Sequence, residues 1–425
     1  MKLSKLNIKK INLKDVDKNY TAQDILLKLG ELYQFESGIY GYGNIWTKLE
    51  RNVENIIIDE LDKADCIHVE WPKLQPRSIW DQSDRWNTYT KENDIMFTLD
   101  NNLGEYGLAP TAEECATIFG SNRLLSYKQL PTTYYQISEK FRKEKRARGF
   151  LFRPRTFVMM DAYSFDKNEE DMHESFNKMH DVYLNIFKRI GINIIPVVSD
   201  GGTMGGRVSE EFQAITKLGE DIILYDEEKN IGMNKEVLEF EDKETFIKAF
   251  GSDINNLKEY NSVELGNNFE LGTKYSDSMK LYYQDENGES KPFYMGCYGL
   301  GLGRIIATSI ENNIVTKNDQ VKGFSIPLSI APYKLQIIYK ENQKENAFDL
   351  YKKIKDMGID CIIDDRENFS IGNKINDTYV LGTPYFTVIG DKYDNKNIEI
   401  EETITGNKEL VKIEDINNYF IEKRG

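Results

Sequence analysis

The amino-acid sequence predicts an α/β protein in two parts, an α+β core followed by a small α/β domain with a mixed sheet. Three observations carry that reading. Beyond residue 333, short apolar runs alternate with helix-patterned stretches, the rhythm of strands separated by helices. Upstream, two aromatic, strand-like runs, Leu130 to Phe141 and Phe157 to Phe165, flank an arginine-rich loop and read as a hairpin. A glycine run from Phe293 to Arg304 follows a strand pattern and opens an apolar helix.

In chain order, Thr21 to Glu36 is patterned as a helix and meets an aromatic, glycine-rich turn, Gly38 to Gly43. Leu49, Val53, Ile56, Ile57 and Leu61 recur at helical spacing, predicting a helix with one buried face that ends near Ala64. Cys66 to Glu70 then reads as a strand, followed by Pro72 and Pro76. Proline removes a ladder donor, so this strand is expected at an edge or an interface. Such a helix and strand fit a homodimer seam or an ordinary unit of a monomer equally well. Phe97 to Leu99 and Tyr106 to Ala109 predict a short hairpin. PTAEE, residues 110 to 114, places a threonine and two acids before an apolar turn. That is an N-cap with dipole-favoured carboxylates, or a carboxylate two residues past a hydroxyl that can grip an ammonium group.

Lys140 to Arg155, KFRKEKRARGFLFRPR, holds eight Lys or Arg in sixteen residues, opposed only by Glu144, in a chain of net charge -15. This local inversion of sign points to a polyanion, because fixed cations hold phosphate by charge-assisted hydrogen bonds. A charge run alone would be a solvated loop; the flanking strands give this one a rigid base. Glu170 to Ile190 is a helix whose Met172, Phe176, Met179, Tyr183 and Phe187 form a core face. Ile194 to Val198 is a strand leading into DGGTMGGRVSEEF, where four glycines permit close backbone approach to a ligand. Residues 221 to 262 are polar and weakly patterned, a surface insertion by composition. Arg304 sits where strand meets helix, a place suited to a nucleotide.

Gly323 to Ser329 marks the boundary between domains spanning 1–322 and 323–425. Strands at Lys334 to Tyr339, Cys361 to Asp364 and Tyr385 to Ile389 alternate with helices at Glu345 to Met357, Ile371 to Leu381 and Ile413 to Lys423. No apolar run approaches the ~20 residues of a membrane span. The basic N-terminus lacks the apolar core of a signal peptide, and Asp15 and Asp17 are unlike a targeting leader. A cytoplasmic location is expected, with an organellar matrix as the alternative. Four dispersed cysteines give neither a disulfide framework nor protein zinc ligands, and three histidines leave little for His-based catalysis.

Together these stretches resemble the class II aminoacyl-tRNA synthetases, and among them the prolyl-tRNA synthetases of bacterial and organellar type. LERNVENIIIDELDKADCIHVEWPKLQP is similar to the first class II motif, the dimer helix and its proline-ended strand. YQISEKFRKEKRARGFLFRPRTFVMMDAYSF is similar to the second, and MGCYGLGLGRIIATSIENN to the third. Thr111 and Glu113 match the family's Thr-x-Glu proline loop, and LGTKYSDSM and SIAPYKLQII are further matches. The motifs occur in the family's order and span nearly the whole chain.

The resemblance implies a class II antiparallel sheet flanked by helices, a C-terminal anticodon-binding domain, ATP and Mg2+ as cofactors, and L-proline, tRNA(Pro) and a second copy as partners. The implied reaction forms prolyl-adenylate from ATP with release of pyrophosphate, then transfers proline to the tRNA 3′ end. A non-catalytic paralogue binding tRNA or nucleotide is the alternative. By the same resemblance, Arg142 and Arg304 are catalytic. Arg142 would hold the α-phosphate and the proline carboxylate, and Arg304 would sandwich the adenine. Glu144 would lie on the adenine side, Phe150 or Phe152 would stack, Arg153 would reach the γ-phosphate, and Thr273 would lie near the ribose and phosphates. Thr111 and Glu113 would receive the prolyl nitrogen, with Tyr163, Phe165 and Ser209 also in the proline site. Asp365, Arg366 and Lys374 would contact the anticodon.

The chain departs from the family at several positions. Ala112 and Asp166 stand where His is usual, and Thr156 replaces a Glu. Arg148-Gly149-Phe150 inverts an Arg-Phe-Gly order. Ser209-Glu210-Glu211-Phe212 replaces Ser-His-Glu-Phe, which sets the charge of Glu210 near the expected substrate pocket. Many bacterial relatives carry a large editing insertion between the second and third motifs; only the short segment 221 to 262 occupies that interval here.

Overall fold

The computed structural model describes residues 1–9, 20–102, 104–145, 150–199, 209–239, 243–249 and 251–423. The chain falls into two compact units, Ser37–Ile39 with Glu54–Ile305, and Met1–Glu36 with Tyr40–Val53 and Ile306–Gly425. Among the described residues no helix is long and apolar enough to cross a membrane.

The first unit is built on a nine-stranded sheet. Its strands run in the order Ser209–Ile215, Ile195–Ser199, Ile231–Asn234, Asp221–Asp226, Lys258–Gly272, Tyr294–Gly301, Thr156–Asp166, Thr132–Phe141 and Ile67–His68. The central pairings are antiparallel; Ile231–Asn234 on Ile195–Ser199 and Ile67–His68 on Thr132–Phe141 are parallel. Ser209–Ile215 also pairs with Lys258–Gly272, so that end of the sheet closes on itself. Ile67–His68 comes last in the order, the edge position that its following prolines predict.

Strand alternation sorts the faces. Phe157, Met159, Asp161 and Tyr163 of Thr156–Asp166 line a cavity. On the opposite face Asp166 accepts a hydrogen bond from Ser175 of the helix Glu169–Ile190. That helix buries Met172, Phe176, Met179, Tyr183 and Phe187, as their spacing predicts. Asn168 caps its start by accepting from Asp171 N, and Gly191, at φ 88°, ends it. Phe212 packs on the same helix, its ring centroid 4.9 Å from that of Tyr183.

Asp166 is fully buried and accepts from Ser164 and Ser175 hydroxyls, both at 2.7 Å. Burial pushes its carboxyl from 3.8 up to about 7. Folded protein therefore keeps this proton between about pH 4 and pH 7, where the unfolded chain has lost it. Stability falls as pH rises through that window and the loss is complete above it. Asp166→Asn should remove this slope and raise stability at pH 8 by roughly 4 kcal/mol at most. Urea melts of both proteins at pH 5 and pH 8 check it; parallel pH dependence in the two would contradict it.

Two stretches of this unit differ from their sequence reading. Residues 221 to 262, polar by composition, supply Asp221–Asp226, Ile231–Asn234 and the start of Lys258–Gly272 to the main sheet. Leu224, Met233 and Ile247 form a small buried cluster there. Strands of six and four residues are too short to display a period. Glu210 does not line the cavity. Its carboxylate lies 2.8 Å from His180 Nδ1 on the long helix, and this contact raises the imidazole pKa. Glu211, one residue on, takes the opposite face of the strand by the same alternation.

The second unit contains a five-stranded mixed sheet in the order Cys361–Ile363, Leu335–Tyr339, Tyr385–Ile389, Asn397–Glu402 and Lys408–Lys412. The first three strands are parallel and the last two antiparallel. Helices Lys344–Asp356, Ile371–Leu381 and Ile416–Glu422 accompany them. The strands NIEIEE and KELVK escape a sequence reading because charge dominates them and only Ile398, Ile400 and Val411 are buried. Thr21 to Glu36 is likewise not one helix. Ala22–Leu29 begins at a Thr21–Asp24 capping box and stops at Gly30, φ 79°, whose N–H bonds back to Leu26 and Leu27 carbonyls. Leu32–Glu36 then pairs with Ile39–Tyr42.

Candidate active site

A cavity of about 920 Å³, counting its open mouth, lies in the first unit. Strands Thr156–Asp166, Lys258–Gly272 and Tyr294–Gly301 wall it, together with Arg142 and Glu144 just past Thr132–Phe141, and residues 151–154. Gly299 and Gly301 bring backbone without side chains to the wall; a Cβ on Gly299 would come 3.1 Å from Asn267 Oδ1. Bare backbone at that place admits a flat ligand closely.

Three arginines face the cavity, each fixed by a different anchor. Arg142 follows directly on its strand, where its N–H donates to Arg155 O across the hairpin at 2.9 Å. Its Nε donates to Pro110 O at 3.1 Å, and its guanidinium stands 5.3 Å from the Phe157 ring centroid. Arg304, on the first turn of Leu302–Glu311, donates from Nε to Phe152 O and from Nη1 to Glu264 O, both at 2.9 Å. Arg153 pairs through Nε with Glu220 at 2.8 Å. Glu144 and Phe152 also line the cavity.

Beside Arg142, the wall changes character. Thr111 Oγ1 donates to the Glu113 carboxylate, at 2.7 Å from Oε2 and 2.8 Å from Oε1. Tyr163 Oη accepts from Ala112 N–H and donates to Asp161 Oδ2, both at 3.1 Å. Asp161 is held in turn by Gln136 Nε2 at 3.0 Å and by Lys140 Nζ, 2.6 Å from Oδ1. Lys140 is fully buried, with its second contact to Ser138 Oγ at 2.6 Å. Burial, with Glu113 and Asp161 beside it, keeps the Tyr163 phenol protonated far above its usual range.

Glu113 itself is 0% exposed and stands behind Thr111. Burial pushes its carboxyl up, but the Arg85 guanidinium and the Thr111 hydroxyl outweigh that and hold it below the ordinary value. The adjacent Glu114 goes the other way, because burial and the charge of Glu113 outweigh Arg85.

The structure thus gathers Thr111, Arg142, Glu144, Phe152, Arg153, Tyr163 and Arg304 around one cavity. Other expected site residues lie elsewhere. Thr273 precedes the short helix Lys274–Ser278 and lines a separate groove with Glu270 and Tyr294. Phe165 is core, edge-on to Phe293 at 5.5 Å and Tyr134 at 6.0 Å. Ser209 is buried in strand pairing with Ser199 and Phe269. The Phe150 side chain and residues 146–149 lie outside the described residues. In the second unit, Arg366 is engaged by Asp364 and Asp377 at 2.7 and 2.6 Å, and buried Lys374 donates to Asp364 O. Asp365 accepts from Ser4 N and Oγ. Asp161, Glu264, Asn267 and Cys297 line the cavity without having been singled out from the sequence. For Asp161 a signal existed, the two-residue period that runs from Phe157 to Tyr163.

This sheet, with arginines from its hairpin and from the strand–helix junction, defines a class II synthetase core. Residues 89–313 match the tRNA synthetase class II core domain (G, H, P, S and T), and residues 326–423 match the anticodon binding domain. The chain is 35% identical over 413 residues to the proline--tRNA ligase of Rickettsia akari, spanning 94% of this chain and 95% of that one. It is 30% identical over 546 residues to that of Staphylococcus haemolyticus, spanning 94% and 95%. It belongs to the proline--tRNA ligase family. Prolyl-tRNA synthetase from Cryptosporidium parvum, complexed with halofuginone and AMPPNP, shares the fold at a TM-score of 0.74 and 16% identity, over 95% of this chain and 77% of that one.

Proposed function

We propose that this chain activates L-proline with ATP and transfers it to tRNA(Pro). The observation that carries the reading is the tether from Arg142 to Pro110 O, which sets a guanidinium beside the Thr111 hydroxyl. A zwitterionic amino acid likewise presents an anion and N–H donors close together.

Proline's carboxylate is ionised and needs no side-chain base; it attacks the α-phosphorus of ATP and pyrophosphate leaves. The chain's share is alignment and neutralisation of charge on the phosphoryl oxygens. Arg142 takes the carboxylate and α-phosphate, since a planar fork matches both. Arg304, braced by Phe152 O and Glu264, offers the face of its guanidinium to adenine. Arg153 reaches the distal phosphates by exchanging its Glu220 partner for them. Tyr163 walls the ring and Thr111 meets the nitrogen, with Glu113 acting through Thr111. Among the described residues no three acids or histidines cluster as a metal cage. Mg2+ carried on ATP phosphates needs only one or two carboxylates, and Glu264, which lines the cavity, would supply one. Such an ion would neutralise the departing pyrophosphate.

Residues 1–322 act as the catalytic domain and 323–425 as the anticodon reader; the matches over 89–313 and 326–423 support this division, while residues 1–36, 40–53 and 306–322 cluster with the second compact unit. Because Arg366 and Lys374 are engaged within the fold, they shape the reading surface more than they touch bases. The protein works as a homodimer in the cytoplasm or an organellar matrix.

ATP–pyrophosphate exchange across the twenty amino acids tests this. Proline should give the fastest exchange and alanine the next, because each methylene distinguishes them by only ~1–3 kcal/mol. Nucleotide binding without exchange for any amino acid would mean a non-catalytic paralogue. The interval 221–262 supplies sheet strands to the core, so no separate editing domain is expected. Purified protein should therefore deacylate Ala-tRNA(Pro) no faster than buffer alone; rapid release of alanine would contradict this.

A further inference from the structure

Arg85 lies behind the amine-facing end of the cavity and is 7% exposed. Its Nη1 donates to Glu114 Oε1 at 2.9 Å and to Glu113 Oε2 at 3.1 Å. The guanidinium carbon stands 4.5, 5.2 and 5.3 Å from the ring centroids of Tyr89, Tyr275 and Trp80. Nη2 donates to Tyr89 Oη. Aromatic faces on several sides and two carboxylates leave this side chain little freedom to turn.

We propose that Arg85 is a positioning residue which makes the amine-facing end of the cavity selective for N–H donors, acting through Glu113 and Thr111. This rests on the reading that a prolyl nitrogen occupies that end. Hydrogen ownership gives the reason. Glu113, kept ionised by Arg85, has no hydrogen of its own and takes the one on Thr111 Oγ1. Thr111 then has only lone pairs left to offer the cavity. Tyr163 is in the same position: its oxygen accepts the Ala112 N–H, and its hydrogen goes to Asp161 Oδ2 at 3.1 Å, nearer than Thr111 Oγ1 at 3.4 Å. Two hydroxyl groups, ordinarily able to donate or accept, are thereby fixed as acceptors.

A protonated imino nitrogen brings two N–H groups to those lone pairs. An ether oxygen in its place would bring lone pairs against lone pairs. With Arg85 removed, the buried Glu113 has no cation in hydrogen-bond contact, only the through-space charge of Lys274 and the Cys297 thiol 3.7 Å from Oε1, and it takes up a proton. A protonated carboxyl can donate to Thr111 Oγ1, which frees the threonine hydrogen to turn into the cavity. The distinction between N–H and O would then fade without any change in a residue that touches the substrate.

The test compares wild type, Arg85→Met, Arg85→Lys and Glu113→Gln in pyrophosphate exchange. Tetrahydrofuran-2-carboxylate, the ether analogue of proline, serves as a competing inhibitor. Arg85→Met should raise the KM for proline about tenfold or more, leave that for ATP within about twofold, and shrink the preference for proline over the ether analogue about tenfold or more. Raising the pH should restore part of the preference, because Glu113 then ionises unaided, and Arg85→Lys should fall between. Glu113→Gln, whose amide can donate to Thr111 with Arg85 still in place, should show the same loss of preference, and it decides the matter if Arg85→Met does not fold. An unchanged preference in Arg85→Met or Glu113→Gln overturns the proposal, as does an equal rise in both KM values accompanied by a lower melting temperature. Wild type lacking proline-dependent exchange would remove the functional reading itself, and this inference with it.

Discussion

Arg142→Lys should cut proline-dependent pyrophosphate exchange by roughly 10²-fold or more, the scale of losing one transition-state donor, with little change in melting temperature. Among the described residues the guanidinium is anchored through Nε to Pro110 O. A lysine ammonium is a compact point charge that cannot hold Pro110 and bridge two anionic groups at once. The carboxylate and the α-phosphate would both remain attracted, but their relative placement would loosen, and in-line attack depends on that placement. The loss should therefore fall mainly on kcat. Since Arg142 is only half-buried, the fold should tolerate the change. Exchange within about threefold of wild type would remove Arg142 from the role assigned to it.

Lys140→Met should lower stability by about 3–5 kcal/mol, the cost of stripping a buried charge of its partner. Lys140 and Asp161 are 0% and 4% exposed in their side chains and 2.6 Å apart. Methionine fills similar space but leaves Asp161 with neutral donors alone, Gln136 and Tyr163. Asp161 would draw those two closer or take up a proton. Either way Tyr163 shifts, and with it the Ala112 N–H that it accepts. Proline binding should weaken together with the fold. Chemical denaturation of the variant and of Lys140→Met with Asp161→Asn checks this: the double variant should recover much of the loss, and no recovery would show that the pair is not coupled.

Much of the fold is legible in the sequence where periods run long. The helix Glu169–Ile190 and the strand Thr156–Asp166 each span enough residues for spacing to name their inner faces. Shorter elements fail that test: the strands within 221–234 and the pair at 397–412 offer two or three apolar positions each, among many charges. Gly30 illustrates a different limit, since a single left-handed residue cuts a pattern that otherwise reads as one helix to Glu36.

Within the site, Arg142, Arg153 and Arg304 are legible because charge in a basic run or at a glycine-rich junction stands out along the chain. Arg85 and Lys140 do not stand out. Arg85 meets carboxylates at a sequence distance of 28 and 29 residues, and Lys140 counts as one more cation of the basic run until its partner across the hairpin is seen. Local sequence shows how many charges there are; only folding shows which are spent internally. Phe165 shows the converse, a motif residue whose neighbour Tyr163 lines the cavity while its own ring turns into the core.

The contact between Arg153 and Glu220 has a consequence for how the empty protein meets its surroundings. A cation already satisfied by a resident carboxylate is a poor trap for stray orthophosphate, which would have to evict that carboxylate unaided. A nucleotide moored at two other arginines arrives with its terminal oxygens at high local concentration and can win the swap. On the proposed roles of the three arginines, the site would filter anions by how many footholds they use rather than by charge alone.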